Sequence, residues 1–290
     1  MTAEDLAAAH GLSREQQWPH REEDWAAMLQ LGHGLVAERD GAVLGTTMWW
    51  LFGDSHASLG MVIVAKAAQG MGVGRKLMEG AIAAIGDRSI LLNATDEGLN
   101  LYRSLGFDVT GTVYQHQGAP FDVPIAQLIP NERVAPMKAG ELADISRLDR
   151  AATGLDRSAV IDYLFDAAQG VVLNRDGEQA GYALFRRFGR GYSIGPTLAP
   201  DIGGARALIS HWLGSNTGMF CRLDVPEDSG LSAWLDELGL PCVGRVTRMC
   251  RGTPPPANSI SANPTGQALT GARPTGDTIR AWSLINQALG

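Results

Sequence analysis

The sequence predicts an α/β protein made of two tandem, related halves, each a mixed central sheet flanked by helices. Three observations predict it: a ten-residue pattern that recurs at a fixed spacing, a hairpin-rich opening, and a centre that reads strand, glycine loop, helix, strand, helix. The length, 290 residues with 45% hydrophobic, suits one large or two ordinary domains with a sizeable core.

The repeat comes first. VAERDGAVLG (36–45) and VLNRDGEQAG (172–181) share Val, Arg, Asp and two Gly at an offset of 136 residues. The same offset carries Met1-Thr2-Ala3 to Met137-Lys138-Ala139, and Leu105-Gly106 meets Leu238-Gly239 at an offset of 133. Each Asp-Gly pair lies between two short apolar runs and reads as a β-hairpin turn. The repeat divides the chain into a first half, 1–130, and a second, 131–251. In the second half, Glu132–Pro136 reads as a first strand before the first helix. The first half has no counterpart before Met1, so it begins one strand short. An uncovered strand edge invites association. Three covers are expected for it: the connector, the terminal helix or another chain of a homodimer.

Within the first half the pattern reads as helices near 2–9 and 22–31, then strands near 34–38, 43–51 and 58–64. A helix near 72–85, a strand near 89–93, a helix near 97–104 and two closing strands follow. Residues 252–276 are rich in Pro, Gly, Ser, Asn and Thr and read as a connector. The tail, 277–290, reads as a C-terminal helix with Ile279, Trp282, Ile285 and Leu289 near one face.

Charge and cysteine content narrow the function. A net charge of −7 argues against nucleic acid or an anionic membrane as partner. No apolar run reaches the roughly 20 residues of a membrane span, and no secretory signal is legible, so a cytoplasmic location is expected. Cys221, Cys242 and Cys250 lack metal-ligand spacing and read as free thiols, with no metal site.

The chemistry concentrates in SLGMVIVAKAAQGMGVGRKLM (58–78), where an apolar strand enters a glycine turn and then a helix. Such a turn exposes backbone N–H groups at a helix N-terminus and makes an anion site suited to a pyrophosphate. A dinucleotide GxGxxG fails, because Arg75 or Leu77 stands at its sixth position. A P-loop fails too, because Leu77 follows Lys76 where Ser or Thr is required. What remains is QxxGxG, filled by Gln69, Gly72 and Gly74, followed by GLNLYRSLGF (98–107). Together these resemble the pyrophosphate loop and the AxxLYxxLGF signature of the GNAT superfamily of N-acetyltransferases; Thr95 stands where that family often has Asn.

The resemblance implies two GNAT-like domains and direct acyl transfer from acetyl-coenzyme A to a small-molecule or peptide amine. It implies cofactor contacts at Val62, Ile63, Val64, Gln69, Gly70, Met71, Gly72, Val73, Gly74, Arg75, Asn93 and Thr95. A backbone N–H near Val64 would hold the thioester oxygen, and Tyr102 would protonate the departing thiolate. The base is open among His20, Glu23, Asp54, His56 and water. Trp18 and Trp25 either line the acceptor pocket or pack in the core. The second half reads as a degenerate copy. Aligned on Arg75 and Arg206, it replaces Gln69 by Pro200 and Gly74 by Ala205, while Leu235 replaces Tyr102. It would shape the acceptor site or a dimer surface, or bind a separate ligand. A coenzyme A-binding regulatory module without turnover is the competing function.

Overall fold

Both Asp-Gly pairs make the turn they predict. The computed structural model describes residues 1–256 and 279–289. Asp40 and Gly41 take φ of 53° and 78°, and Asp176 and Gly177 take 53° and 87°, the paired left-handed residues of a two-residue hairpin. They join β1 (His33–Arg39) to β2 (Ala42–Phe52), and β7 (Gln169–Arg175) to β8 (Glu178–Phe188). Each hairpin carries a bulge at the same place, Ala37/Glu38 in one and Leu173/Asn174 in the other. The starts correspond as well: the nitrogen of Met1 donates to Gly34 O at 3.0 Å, and that of Met137 to Gly170 O at 2.9 Å. The repeat is therefore structural down to individual hydrogen bonds.

In the first half, a 3-10 turn (Ala3–Asp5) leads into α1 (Leu6–Glu15), which runs further than the stretch expected near 2–9. Then come α2 (Glu22–Leu31), the β1–β2 hairpin, β3 (His56–Val64), α3 (Val73–Ile85), β4 (Ser89–Ala94), α4 (Leu99–Ser104) and β5 (Asp108–Gly118). The second half repeats the order with β6 (Glu132–Pro136), α5 (Leu142–Thr153), α6 (Ser158–Ala167), the β7–β8 hairpin, β9 (Gly191–Ala199), α7 (Ile202–Ser215), β10 (Cys221–Pro226), α8 (Ser232–Glu237) and β11 (Cys242–Arg251). No described helix is long and apolar enough to cross a membrane.

The two expected sheets are one. Strand order is β1-β2-β3-β4-β11-β5-β10-β9-β8-β7-β6. Only one closing strand follows α4, not the expected two, because Pro120, Pro124 and Pro130 keep the following stretch out of a sheet. The vacant place beside β4 is taken by β11 of the second half, antiparallel from Thr247–Ala94 to Arg251–Ile90. Reciprocally, β5 of the first half pairs with β10 of the second, from Cys221–Gly118 to Pro226–Val113. Each half thus lends its last strand to the other, and the two lent strands pair with each other.

The tail is not a helix. Arg280–Ser283 form β12, antiparallel to β9 at Thr197–Ala199, and Leu284 N donates to Asp224 O of β10 at 2.8 Å. A 14-residue helix is marginal by itself, whereas β9 and β10 part after Tyr192 and Ser193 and leave backbone groups to be satisfied. Those hydrogen bonds override the helical periodicity, yet Ile279, Trp282, Ile285 and Leu289 are all buried as the periodicity implied.

β6 pairs with β7 as expected, and β1 is the outer strand of the first half. The described tail, 279–289, does not cover β1. The described start of the connector, Gly252–Pro256, runs past Ser89 and His56 instead. The remainder of the expected connector, 257–276, lies outside the described residues.

One core joins the halves. Trp25 and Met28 of α2, Trp50 of β2, Leu164 of α6, Tyr182 of β8 and Ile285 of the tail belong to the same buried cluster. On the opposite face α3 packs over β2–β4, and α7 over β8–β10.

Candidate active site

β3 changes face midway. Ala57 and Leu59 pack beneath α3, whereas Met61 and Ile63 pack with α1 and α2. A regular strand would keep all four on one side. The switch comes from a bulge between Thr46 and Met48 registers, where Met61 takes φ of 53° and its carbonyl accepts from Thr46 Oγ1 at 2.8 Å. A left-handed Met in a strand is strained and persists because its surroundings fix it. Beyond Ser58, β3 also leaves β4, since the parallel pairing covers only His56–Ser58 against Ser89–Leu91. The two strands form a fork. Ala65 N donates to Leu44 O of β2, so by alternation the amide and carbonyl of Val64 point the other way, into the fork. Only the side-chain amides of Gln16 and Gln69, each at 3.4 Å, approach that carbonyl among the described residues.

The glycine loop stands at the open end. Gly70 and Gly72 have φ of 75° and 79°, and a Cβ on either would meet nothing within 4 Å. Gly72 is the N-cap of α3 and brings no side-chain cap, which leaves the first-turn N–H groups of Val73, Gly74 and Arg75 directed outward. A Cβ on Gly74 would make ordinary contact with Val64 and Leu101, so the helix start lies beside both β3 and α4. Met71 is exposed, and Arg75 is held by Ser104 Oγ at 2.8 Å. Val62, Ile63 and Val64 of β3 lie between this loop and the bulge, and Asn93 and Thr95 at the end of β4 face a cavity on the other side of the fork.

The second half places a carboxylate at the equivalent helix start. The loop between β9 and α7 is two residues, 200–201, where the first half has eight, 65–72. Asp201, not an alignment on Arg206, marks the counterpart of Gly72: it is the N-cap of α7, accepts from Gly204 N at 2.8 Å and pairs with Arg175 at 2.9 Å. Its fork is filled by β12. Leu235, fully buried on α8, stands where Tyr102 stands on α4.

Tyr102 is buried against Phe107, and its ring presses on Gly98. Burial pushes its phenol up to about 12, so it is protonated throughout the neutral range.

The cavity beside the fork holds about 220 Å³. Of the four candidate bases only His20 lines it. Glu23 faces the groove between α2 and α6, Asp54 is a fully exposed hairpin residue near Arg88, and His56 sits at the far end of β3 between Ser55 and Thr253. Trp18 reaches the cavity, but Trp25 is core. His20 shares a hydrogen bond of 2.9 Å with Ser13 Oγ and packs edge-on against Trp18, Trp25 and Phe188. Burial first, then the positive charge of Arg222, hold its imidazole at about 4. It is therefore neutral at pH 7 and able to accept a proton. The unfolded chain binds a proton near pH 6.5 that the folded chain takes up only near 4. Stability linked to His20 is therefore intact above about pH 6.5 and lost as pH falls through this window, on the order of 3 kcal/mol in all. Denaturant titrations at pH 7 and 4.5 should show a smaller loss for His20→Gln than for the natural chain; equal losses would remove His20 from the account.

Sequence reasoning missed the rest of this cavity wall: Gln115 of β5, Phe188 of β8, Arg222 of β10, Gly244–Val246 of β11 and Asn286–Ala288 of the tail. They come from across the strand exchange, which no local signal announces.

Comparisons with known proteins follow this division. A family model described as an acetyltransferase (GNAT) domain matches residues 30–109, and another with the same description matches residues 145–261. The chain is 29% identical over 228 residues to the uncharacterized N-acetyltransferase YitH of Bacillus subtilis, covering 77% of this chain and 79% of that protein. It is 25% identical over 206 residues to the holothin acyltransferase of a Pseudoalteromonas species, covering 70% and 69%. In fold it is similar to a Pyrococcus horikoshii protein, with a TM-score of 0.77 at 18% identity over 100% of this chain and 94% of that one. A tandem GNAT protein from the clavulanic acid biosynthesis pathway gives 0.63 at 14% identity, over 87% and 98%. With matched domains on both sides of the boundary and a fold shared with a tandem relative, the chain belongs to the GNAT acetyltransferase superfamily and is a tandem member of it.

Proposed function

We propose that the first half transfers the acetyl group of acetyl-coenzyme A to an amine and that the second half completes the acceptor site without binding a cofactor of its own. The observation that carries this is the contrast between the two forks. One has an uncapped helix start and an open strand edge; the other has Asp201 on its helix and β12 in its gap. The residues of the first fork fit a pyrophosphate and an extended thiol arm: outward N–H groups at α3, two glycines with open space before them, and an unpaired stretch of β3.

Acetyl-coenzyme A, when bound, supplies the activated acyl carbonyl as a thioester. The Val64 amide, aimed into the fork, donates to the carbonyl oxygen as it gains negative charge. His20 accepts the proton that the amine nitrogen loses as the new N–C bond forms and the C–S bond breaks. Tyr102 donates a hydrogen bond to the departing sulfur. Outright proton transfer from a phenol at about 12 to a thiolate of parent pKa near 8.5 is uphill by about 5 kcal/mol. Solvent therefore supplies the final thiol proton.

Calorimetry with acetyl-coenzyme A should give one equivalent per chain, and thioester consumption should rise with a pool of amines. Tyr102→Phe should lower kcat roughly 10²-fold with little change in cofactor affinity. Two equal sites, or tight binding with no amine-dependent turnover, would favour the regulatory reading instead.

A further inference from the structure

The tail crosses both forks. After filling the gap between β9 and β10 as β12, it turns at Asn286–Leu289 and reaches the first half. There Asn93 Nδ2 donates to Gln287 O at 2.8 Å, Ser58 Oγ donates to Ala288 O, and the Cβ of Ala288 lies 3.1 Å from where a Cβ on Gly60 would be. Gly60 is thus kept free of a side chain by the approach of the tail. Gln287 Nε2 is anchored by Gln115 Oε1 at 3.2 Å and Asp224 Oδ1 at 3.1 Å. All three tail residues line the 220 Å³ cavity beside the fork.

Two polar atoms on this wall stand out. Asn286 is 2% exposed, and its Oδ1 accepts from the amides of Ala288 and Leu289, both at 2.8 Å. That fixes the amide's orientation and leaves Nδ2 a buried donor with no partner among the described residues. Asn93 is fixed in the same way by its bond to Gln287 O, and its Oδ1 is a buried acceptor with no partner among the described residues. A buried polar group without a partner costs roughly 1–3 kcal/mol. Here a donor and an acceptor belong to two residues that are joined through Gln287 and both line one small cavity.

We propose that the tail is part of the acceptor site, and that its Asn286 Nδ2 selects an amine carrying a carbonyl oxygen, with Asn93 Oδ1 accepting from the amine N–H. The inference rests on the acyl-transfer reading above for calling the ligand an acceptor. A cavity of about 220 Å³ is below the usual range for drug-sized ligands and suits a small amine. The second half's role follows from this: it holds the tail in place through β9 and β10, and so sets the acceptor specificity of a site in the other half.

The test uses the full chain and four probes of matched size: glycinamide and alaninamide, which carry the carbonyl, against isobutylamine and sec-isoamylamine, their isosteres without it. Binding is measured with and without coenzyme A, so it needs no turnover. The amides should bind the natural chain at least about 10-fold more tightly than the alkylamines, as for a site built to bond a polar group. Asn286→Asp keeps the Oδ1 that holds the turn and removes the donor. It should abolish the preference and leave acetyl-coenzyme A affinity within about twofold. Alkylamines binding as well as the amides, no probe binding, or a preference that survives Asn286→Asp would each overturn the proposal. If Asn286→Asp does not fold, the natural chain decides: with ¹⁵N-labelled asparagine, the Asn286 side-chain amide must shift on adding glycinamide, and no shift overturns the proposal. Failure of thioester consumption alone would sink the acyl-transfer reading and leave this binding result standing.

Discussion

Residues 1–130 expressed alone are expected not to fold, although they contain the whole glycine loop and Tyr102. Without the second half, β4 loses the antiparallel partner that satisfies Ile90–Ala94, and β5 loses its neighbours on both sides. Each stripped strand exposes a row of backbone donors and acceptors. The shared core also opens, because Trp25, Met28 and Trp50 lose the cover of α6, β8 and the tail. Truncations of this kind remove far more than the roughly 5–15 kcal/mol by which a domain is stable. Circular dichroism and sedimentation should show an unfolded or aggregated species. Co-expression with residues 131–290 should restore a single cooperative melt and acetyl-coenzyme A binding. A monomeric 1–130 that melts within about 10 °C of the full chain would show that the strand exchange is dispensable.

Gly72→Asp should remove cofactor binding while sparing the fold. The second half already contains this substitution in effect, since Asp201 caps α7 at the corresponding place. Asp201 caps α7 from extended backbone, at φ of −153°, whereas position 72 is left-handed, at φ of 79°, so the variant carries an unoffset cost of roughly 1–2 kcal/mol. The melting temperature should therefore fall by only a few degrees. Acetyl-coenzyme A affinity should fall at least about 100-fold, about 2.7 kcal/mol, because the carboxylate occupies the anion site and repels a pyrophosphate. Gly72→Ala separates the causes: it adds the left-handed strain without the charge and should lose less. Unchanged affinity in Gly72→Asp would place the pyrophosphate elsewhere.

The local parts of this molecule were legible because local chemistry fixes them. Asp-Gly between apolar runs permits little besides a two-residue hairpin, and both turns formed. Gly70 and Gly72 of the loop take the left-handed conformation that their type allows, while Gly74 is already in the helix. The difference between the halves is legible in Leu235, although aligning Arg206 with Arg75 sets the loop register two residues off the helix start, where Asp201 stands. The non-local parts were not legible. Which strand fills the place beside β4 depends on prolines that stop one candidate and on a strand some 150 residues away. The tail has the apolar spacing of a helix and is a strand, since unsatisfied backbone in the second fork outweighs the propensity of four residues. Of the predicted base candidates, only His20 could be narrowed to the cavity, and that took the packing of α1 and α2 against the fork.

The strand exchange also sets a timetable for synthesis. At roughly 5–20 residues per second, about 150 residues separate the appearance of β4 from that of β11, an interval on the order of 10–30 s. During that interval the nascent first half carries an open inner edge, next to a glycine loop that is already complete in sequence. Folding cannot close from the N-terminus forward, and β12 and the turn after it, which are made after β9 and β10, must enter a gap between strands already in place. A nascent chain of this design depends on whatever shields a bare strand edge until its partner arrives, and slowing translation between residues 119 and 241 should lower the yield of active protein more than slowing it before residue 56.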